Sequence, residues 1–564
     1  MFSLKGRVNQ LEFVGAKSVF GPKLVQFKYL ILAAVVITLW RPAAAQRYIP
    51  ADPLDLMFHE KAYFQEGIDY GPLIIRPVFI SSRNRERNLS ITLRSELFNN
   101  TNAPNLENTS DRWIGKGDSF FSSVNISYSG PFLALSLEPY YFSNQNLPFD
   151  EAVRIGKYMK LNDNQPFEDS PYRISGLREV QAYLHYKGVG FGFSNANMWW
   201  GPGIHSTLNM TNNTRGFNHL MVGTLREQRI GKVGLDARYV FSDMDSLNAD
   251  EPYFTALVLT TTLHSDPVVT VGLSRTYLSG GNSAGKDTLS RKEAMMLPVE
   301  GLFLQGKQTD PDDPLSSVDI WDQTLSGYLS ASFPNSGLKV FLELGRNDHA
   351  WNGVDLRRQP DHTSAAIVGL RKYGLFGNDD LTFGMEYANL MKSPFTIQRR
   401  YGEFREGADW YDRAAYDYSS YNGRRWGAHS GADSDDFTVY VGYLGDRFSI
   451  IPGFNYERHG ILDNRERVWV DAFETRIDPD TRRTIIVKVK KLLTKDDYMW
   501  AEVKFEFRLD IRYRIRGLRF NLYYEKEFVD NVGFTGGNRE GEVVWFGVER
   551  VFDGVWLPRF LSWF

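Results

Sequence analysis

Two stretches of the chain concentrate side chains able to do recognition chemistry. Asn195 to Phe217 reads NANMWWGPGIHSTLNMTNNTRGF: adjacent indoles at Trp199 and Trp200, a Gly-Pro-Gly turn that permits unusual backbone angles, then the amides of Asn212 and Asn213 and the guanidinium of Arg215. The second, Lys392 to Asp435, carries Trp410, Tyr411, Tyr416, Tyr418, Tyr421 and Trp426 among Arg405, Arg413, Arg424 and Arg425. Aromatic rings stack on the apolar faces of sugars, while planar amides and Arg forks bond hydroxyls and carboxylates, so this inventory suits a carbohydrate surface. The same residues also suit a purely structural role, an interfacial girdle that locks long loops together. Both readings remain open at the level of sequence.

Catalytic signatures are missing by comparison. The chain contains no HExxH and no P-loop, and it has no cysteine, which removes thiol nucleophiles, disulfides and thiolate metal sites. Carboxylate pairs such as Asp435-Asp436 and Asp312-Asp313 read as solvated loop charge, and the run Asp310 to Pro314 lacks the Gly and terminal Glu of an EF-hand. His185, His205, His219, His349, His362, His429 and His459 show no spacing that singles out a pair. The expectation is therefore a non-enzymatic chain with no metal centre and no cofactor.

The elements that must position these groups are strands. From Glu502 to Arg516 the sequence EVKFEFRLDIRYRIR alternates apolar and charged residues without a break, which gives a strand one greasy wall and one charged wall. Leu518 to Phe528, Phe437 to Tyr443, Leu381 to Tyr387 and Val180 to Tyr186 repeat the pattern. Such runs between Leu89 and Phe552 predict roughly twenty strands. Every second connection is short (Gly130-Pro131, Lys187-Gly188, His264 to Pro267, Pro334 to Gly337, Gly445 to Arg447, Arg516-Gly517), and the intervening ones are long. Sorting of turns and loops to opposite ends is the habit of bacterial outer-membrane barrels, with turns periplasmic and loops outside. Lys or Arg on the lipid face costs on the order of 2–4 kcal/mol near the midplane, so the charged wall must face the lumen. The fold class is thus all-β, a transmembrane antiparallel barrel of about 18 to 20 strands with long extracellular loops. A short amphipathic helix is expected over Asp150 to Met159, with Ala152, Ile155 and Met159 on one face.

Export fits this fold. Lys5, Arg7, Lys17, Lys23 and Lys28 precede an apolar run from Tyr29 to Trp40 and the small residues Ala43 to Ala45, which predicts a signal peptide over 1–45, a periplasmic segment over 46–88 and the barrel over 89–564. No later stretch is apolar for long enough to cross a bilayer as a helix. Aromatics reach 14%, in keeping with interfacial girdles, and a net charge of −3 gives no reason to expect nucleic acid as a partner.

Trp199 to Gly203 followed by Asn212-Asn213 and Arg215 to Phe217, then Glu343 to Asp348 (ELGRND), Met385 to Ala388 (MEYA) and Gly427 to Asp433 (GAHSGAD), resemble the ordered signatures of the capsule assembly Wzi family. The resemblance implies an 18-stranded outer-membrane barrel closed by its own loops, a lectin that helps attach capsular or exopolysaccharide, with membrane lipids around it and other capsule export components as further partners. Ala51 to Ile68 departs from that pattern, since it gives no clear run of helices for a periplasmic plug. A porin-like channel for sugars or anions, using Arg512, Arg514 and Arg516, is the rival expectation; an outer-membrane hydrolase is a third.

Overall fold

The computed structural model describes residues 48–51, 53–79, 88–164, 170–282, 289–302, 321–347, 363–391, 395–398, 404–405, 410–411, 414–462, 468–493 and 501–553. The expected signal peptide, the run Asp310 to Pro314, His349, His362 and Arg413 lie outside them.

Eighteen antiparallel strands close into a barrel. They are β1 (Asn88–Asn100), β2 (Gly117–Ser129), β3 (Leu133–Asn144), β4 (Tyr172–Tyr186), β5 (Val189–Ser194) and β6, which is interrupted (His219–Thr224, then Gln228–Ile230). Next come β7 (Val233–Asp243), β8 (Tyr253–Leu263), β9 (Val268–Ser279), β10 (Trp321–Phe333), β11 (Leu338–Asn347) and β12 (Ser364–Leu375). The circle ends with β13 (Asn378–Asn389), β14 (Ser434–Leu444), β15 (Phe448–His459), β16 (Glu502–Ile515), β17 (Leu518–Val532) and β18 (Gly537–Asp553). Closure is made by β18 on β1, from Val543 opposite Asn100 to Asp553 opposite Ser90. All six short turns named from the sequence fall at one end, joined there by Gly231-Lys232 and Phe376-Gly377. The opposite end carries the long connections, except that β17 and β18 are joined by the tight turn Gly533 to Gly536.

The alternation of β16 sorts as the energetics require. Glu502, Lys504, Glu506, Asp510 and Arg512 are buried toward the lumen, while Phe507 and Tyr513 are exposed on the outside. Leu184, Phe191, Val222, Val271, Leu329, Leu344, Val368 and Val441 continue that outward apolar surface around the wall. Phe132, Tyr186, Phe376, Phe448 and Tyr513, all exposed, stand beside the short turns as one aromatic girdle. Not all of the lumen is charged: on β8 the inward residues are Phe254, Ala256 and Val258, which pack against the interior segments described below.

Two local expectations are corrected. Ala51 to Ile68 does hold a helix, α1 (Leu54–Glu66), ended by Gly67 in the left-handed region at φ 66°. Its sequence LDLMFHEKAYFQE mixes apolar and polar residues around its whole circumference and Pro53 offers no capping side chain, so neither an amphipathic stripe nor a cap announces it. Conversely, Asp150 to Ile155 is not helical; only a 3-10 turn, Gly156–Lys160, forms. Gly156 sits at φ 59°, which breaks a right-handed helix, and Val153 and Ile155 are more than four-fifths exposed rather than lying on a buried face. A second helix, α2 (Arg291–Leu302), lies in the connection between β9 and β10.

Because Phe507 faces lipid, Phe507→Arg is expected to impair barrel assembly by the lipid-face cost of roughly 2–4 kcal/mol. Val153→Arg, equally apolar to charged but in an outer loop, should assemble as the parent does. The heat-modifiable, folded fraction in outer membranes measures both; equal yields would put Phe507 off the lipid face.

Candidate functional site

The lumen is filled by three parts of the chain that come from opposite ends of the barrel. From the turn end, α1 enters and is clamped by ion pairs: Asp55 meets Arg512 at 3.0 Å and Arg519 at 3.1 Å, and Lys61 reaches Asp380 at 2.5 Å. Glu60 is the hub. It accepts from Lys339 at 2.6 Å, from Arg371 at 2.7 and 2.8 Å, and from the Tyr373 hydroxyl at 2.8 Å. Burial alone would raise its carboxyl, but Arg371 and Lys339 hold it well below the usual range. The chain then runs up to Ile75-Arg76, which pairs antiparallel with Trp199-Trp200, and Val78-Phe79 pairs back with Tyr48-Ile49.

The loop between β5 and β6 descends from the other end to meet it. Trp199 and Trp200 are fully buried, with the Arg76 guanidinium carbon 5.0 Å from the centre of the Trp199 ring. At the Gly-Pro-Gly turn a Cβ on Gly203 would stand 2.2 Å from the Ser206 carbonyl oxygen, so only glycine fits. The backbone after that turn is caught by two wall carboxylates: Glu386 accepts from the N–H of Ile204 at 2.7 Å and of His205 at 3.0 Å, and Glu343 accepts from the N–H of Leu208 at 3.1 Å. Arg371 links both sides, donating to Glu386 at 3.2 Å and to the Pro202 carbonyl at 2.7 Å besides Glu60.

The connection between β13 and β14 closes the knot from above. Thr211 donates to the Gly427 carbonyl at 2.8 Å, and Tyr411 donates to the Leu208 carbonyl while accepting from the Ala428 N–H at 2.9 Å. Trp410 packs among Leu208, Phe341, Ile367 and Ala388, and Trp426 and Tyr421 pack with Phe217. Asn213 exchanges amide hydrogen bonds with Asn162 at 2.7 and 3.0 Å and donates to the Arg425 carbonyl at 3.1 Å, while Asn212 donates to the Asn108 carbonyl at 3.0 Å. Arg424 donates to Thr109 and to the Pro104 carbonyl, each at 3.0 Å, with its guanidinium 4.1 Å above Trp113; Arg425 donates to the carbonyls of Lys160 and Lys157. Burial pushes both guanidinium groups down to about 10.

One more segment is pinned by charge. Arg154, from the loop between β3 and β4, meets Asp163 at 2.6 Å and Glu502 at 2.7 Å, and Arg539 meets the same Asp163 at 2.5 Å. Burial would raise the Asp163 carboxyl; the two arginines hold it well below the usual range. Four cavities between these segments and the wall are small: about 90 Å³ beside Arg447 and Arg512, about 40 Å³ beside Glu60 and Lys339, about 10 Å³ beside Asp163 and Glu502, and about 30 Å³ beside Arg112 and Glu549.

The sequence profile of the family described as capsule assembly protein Wzi matches residues 95–506. The chain belongs to that family. Its signatures, scattered in sequence, are the parts of this one knot: the Trp199 to Gly203 turn, the carboxylates Glu343 and Glu386, and the Gly427 to Asp433 strap. A search of curated protein sequences gives no match. Among solved structures, the barrel of Wzi from Escherichia coli, an outer-membrane protein involved in group 1 capsule assembly and called a carbohydrate-binding β-barrel, aligns with a TM-score of 0.51 at 12% identity, covering 81% of this chain and 83% of that one. OccK3 (OpdO) of Pseudomonas aeruginosa aligns less well, with a TM-score of 0.39 at 10% identity over 84% and 96% of the two chains. This Wzi-family barrel resides in the outer membrane.

Set against the family knot, the sequence-derived contact residues fall in unexpected places. Trp199, Trp200, Asn212, Asn213, Trp410, Tyr411, Tyr416, Tyr421, Arg424, Arg425 and Trp426 are all buried in loop packing; only Arg215 and Tyr418 are partly exposed. The aromatic and Arg richness of the buried set goes into holding the loops together. Glu60, Arg154, Asp163, Glu343, Glu386 and Arg371 carry the knot, and none of them stands out as a single residue in the sequence. For Glu343 and Glu386 the signal was present in the ELGRND and MEYA motifs.

Proposed function

We propose that the chain binds a capsular or exopolysaccharide at the cell surface and aids its attachment, without catalysis. The observation that carries this reading is the lumen filled from both ends by α1 and by the family's own signature loops, which leaves the outer face of the loops as the surface offered to a ligand. The partly exposed side chains in these loops include Arg215, Lys157, Lys160 and Tyr418, which lies against Gly156, with the Lys160 ammonium 2.7 Å from Asp417. A phenol ring beside cations suits an acidic glycan, because the ring stacks on a sugar face while Arg and Lys meet its carboxylates. Surrounding lipids and other capsule export components are the further partners this reading implies.

The triple variant Lys157→Ala, Arg215→Ala, Tyr418→Ala removes surface groups without touching the buried knot, so it should fold normally. Each contact contributes on the order of 1 kcal/mol, so the three together should reduce polysaccharide retention severalfold or more. Cell-bound against shed polysaccharide, at matched levels of folded barrel, measures it. Retention equal to the parent's would remove this face from the binding site.

A further inference from the structure

Three loops and one wall strand bring Glu107, His205, His429 and Asp436 together inside the barrel. One ligand atom from each of Glu107, His205 and His429 lies within 4.8 Å of the others. The two imidazoles meet edge to face with ring centres 4.7 Å apart. Asp436 sits between them, its Oδ2 2.9 Å from His205 Nε2 and 3.2 Å from His429 Nε2, and Glu107 Oε1 is 3.5 Å from that same His429 nitrogen.

His429 is the telling residue. It is 3% exposed, and neither ring nitrogen makes a hydrogen bond; the carboxylate oxygens stand near Nε2 but off the line an N–H would need. His429 is therefore buried without an aligned hydrogen-bond partner, which costs free energy. The surroundings are also rich in anions: Glu107, Asp436, Glu457 and Glu506 are buried here with Lys504 and Arg508 as the neighbouring cations. Two imidazoles and a carboxylate are a ligand set for a first-row divalent cation, and three ligand atoms within 4.8 Å of one another are near enough to close on one ion.

We propose that Glu107, His205 and His429 form a binding site for a divalent transition-metal cation, Zn²⁺ by preference, with Asp436 orienting the imidazoles. The ion would staple the loop after β1 to the Gly-Pro-Gly loop and to the Gly427 to Asp433 strap, the connections that close the barrel. Lys504, 2.7 Å from Glu107 Oε1, would yield that oxygen to the ion and keep Glu457 and Glu506. The proposed site runs against the sequence-based expectation of no metal centre, because its ligands are spread over Glu107, His205 and His429, with no motif spacing to mark them.

The test is zinc titration of the folded, full-length barrel in detergent after stripping with a chelator. The wild type should bind about one Zn²⁺ per barrel. His429→Gln and His205→Gln should each weaken binding by about a hundredfold or more, Asp436→Asn by about tenfold, and His264→Gln, at a turn far from the cluster, should change nothing. Should the His variants fail to fold, Co²⁺ added to the wild type should give the visible absorption of a low-symmetry N,O site. Absence of stoichiometric zinc in the wild type, absence of the cobalt spectrum, or unchanged affinity in folded His429→Gln would each overturn the proposal.

Discussion

Arg371→Ala is expected to unplug the barrel. The guanidinium is fully buried and ties α1 to the Gly-Pro-Gly loop, bonding Glu60 from one side and Glu386 and the Pro202 carbonyl from the other. Its removal leaves Glu60 with only Lys339 and Tyr373, and leaves Glu386 facing the loop amides without a cation. Breaking one partner of a buried ion pair costs about 3–5 kcal/mol, comparable to the whole stability of many small folded units. The eighteen-strand wall does not depend on that bond, since its pairing is backbone to backbone around the circle. The expected result is a barrel that still migrates as a folded species but whose plug opens. In planar bilayers the wild type should pass almost no current and the variant should show frequent large openings; α1 should also become a protease target. A wild type that conducts steadily would favour the channel reading instead.

Trp410→Ala should act on the opposite, outer half of the knot. The indole is 1% exposed, packed on Leu208 of the Gly-Pro-Gly loop and on Phe341 and Ile367 of β11 and β12, and a Cβ on Gly345 would stand 2.6 Å from it. Truncating a buried Trp to Ala costs about 3–5 kcal/mol through lost transfer and the cavity left behind. The loop Leu390 to Asp433 should therefore loosen, seen as faster external proteolysis and faster amide exchange from Tyr411 to Gly431, with the strands still protected. Polysaccharide retention should fall as well, but as a consequence of loop disorder, unlike the surface triple variant, whose loops remain protected. Unchanged protease resistance would mean that the strap is held elsewhere.

The contrast between what was legible and what was not follows from the range of the interactions. Period-two alternation is local, so β16 and the turns at Arg516-Gly517 and Gly445 to Arg447 can be read directly, and the lipid-face cost then dictates which side faces in. Leu54 to Glu66 defeated the same reasoning because a helix buried in a lumen needs no polar stripe. Asp150 to Met159 misleads it because a helical spacing of apolar residues does not by itself make a buried face, and Gly156 at positive φ breaks the run. The site was harder still. Glu60 finds Lys339 279 residues away and Arg154 finds Glu502 348 residues away, and no local pattern encodes such pairs. Composition correctly marked the loops that matter but could not say whether a given Trp or Arg faces a ligand or a neighbouring loop; burial decided that for Trp410, Arg424 and Arg425.

Direct binding tests the central claim most closely. Purified, folded wild-type barrel in lipid vesicles should co-sediment, saturably and reversibly, with the surface polysaccharide of the cells that carry it, and the Lys157→Ala, Arg215→Ala, Tyr418→Ala variant should bind severalfold more weakly at the same folded fraction. A folded wild-type barrel that binds none of that polysaccharide would contradict the claim.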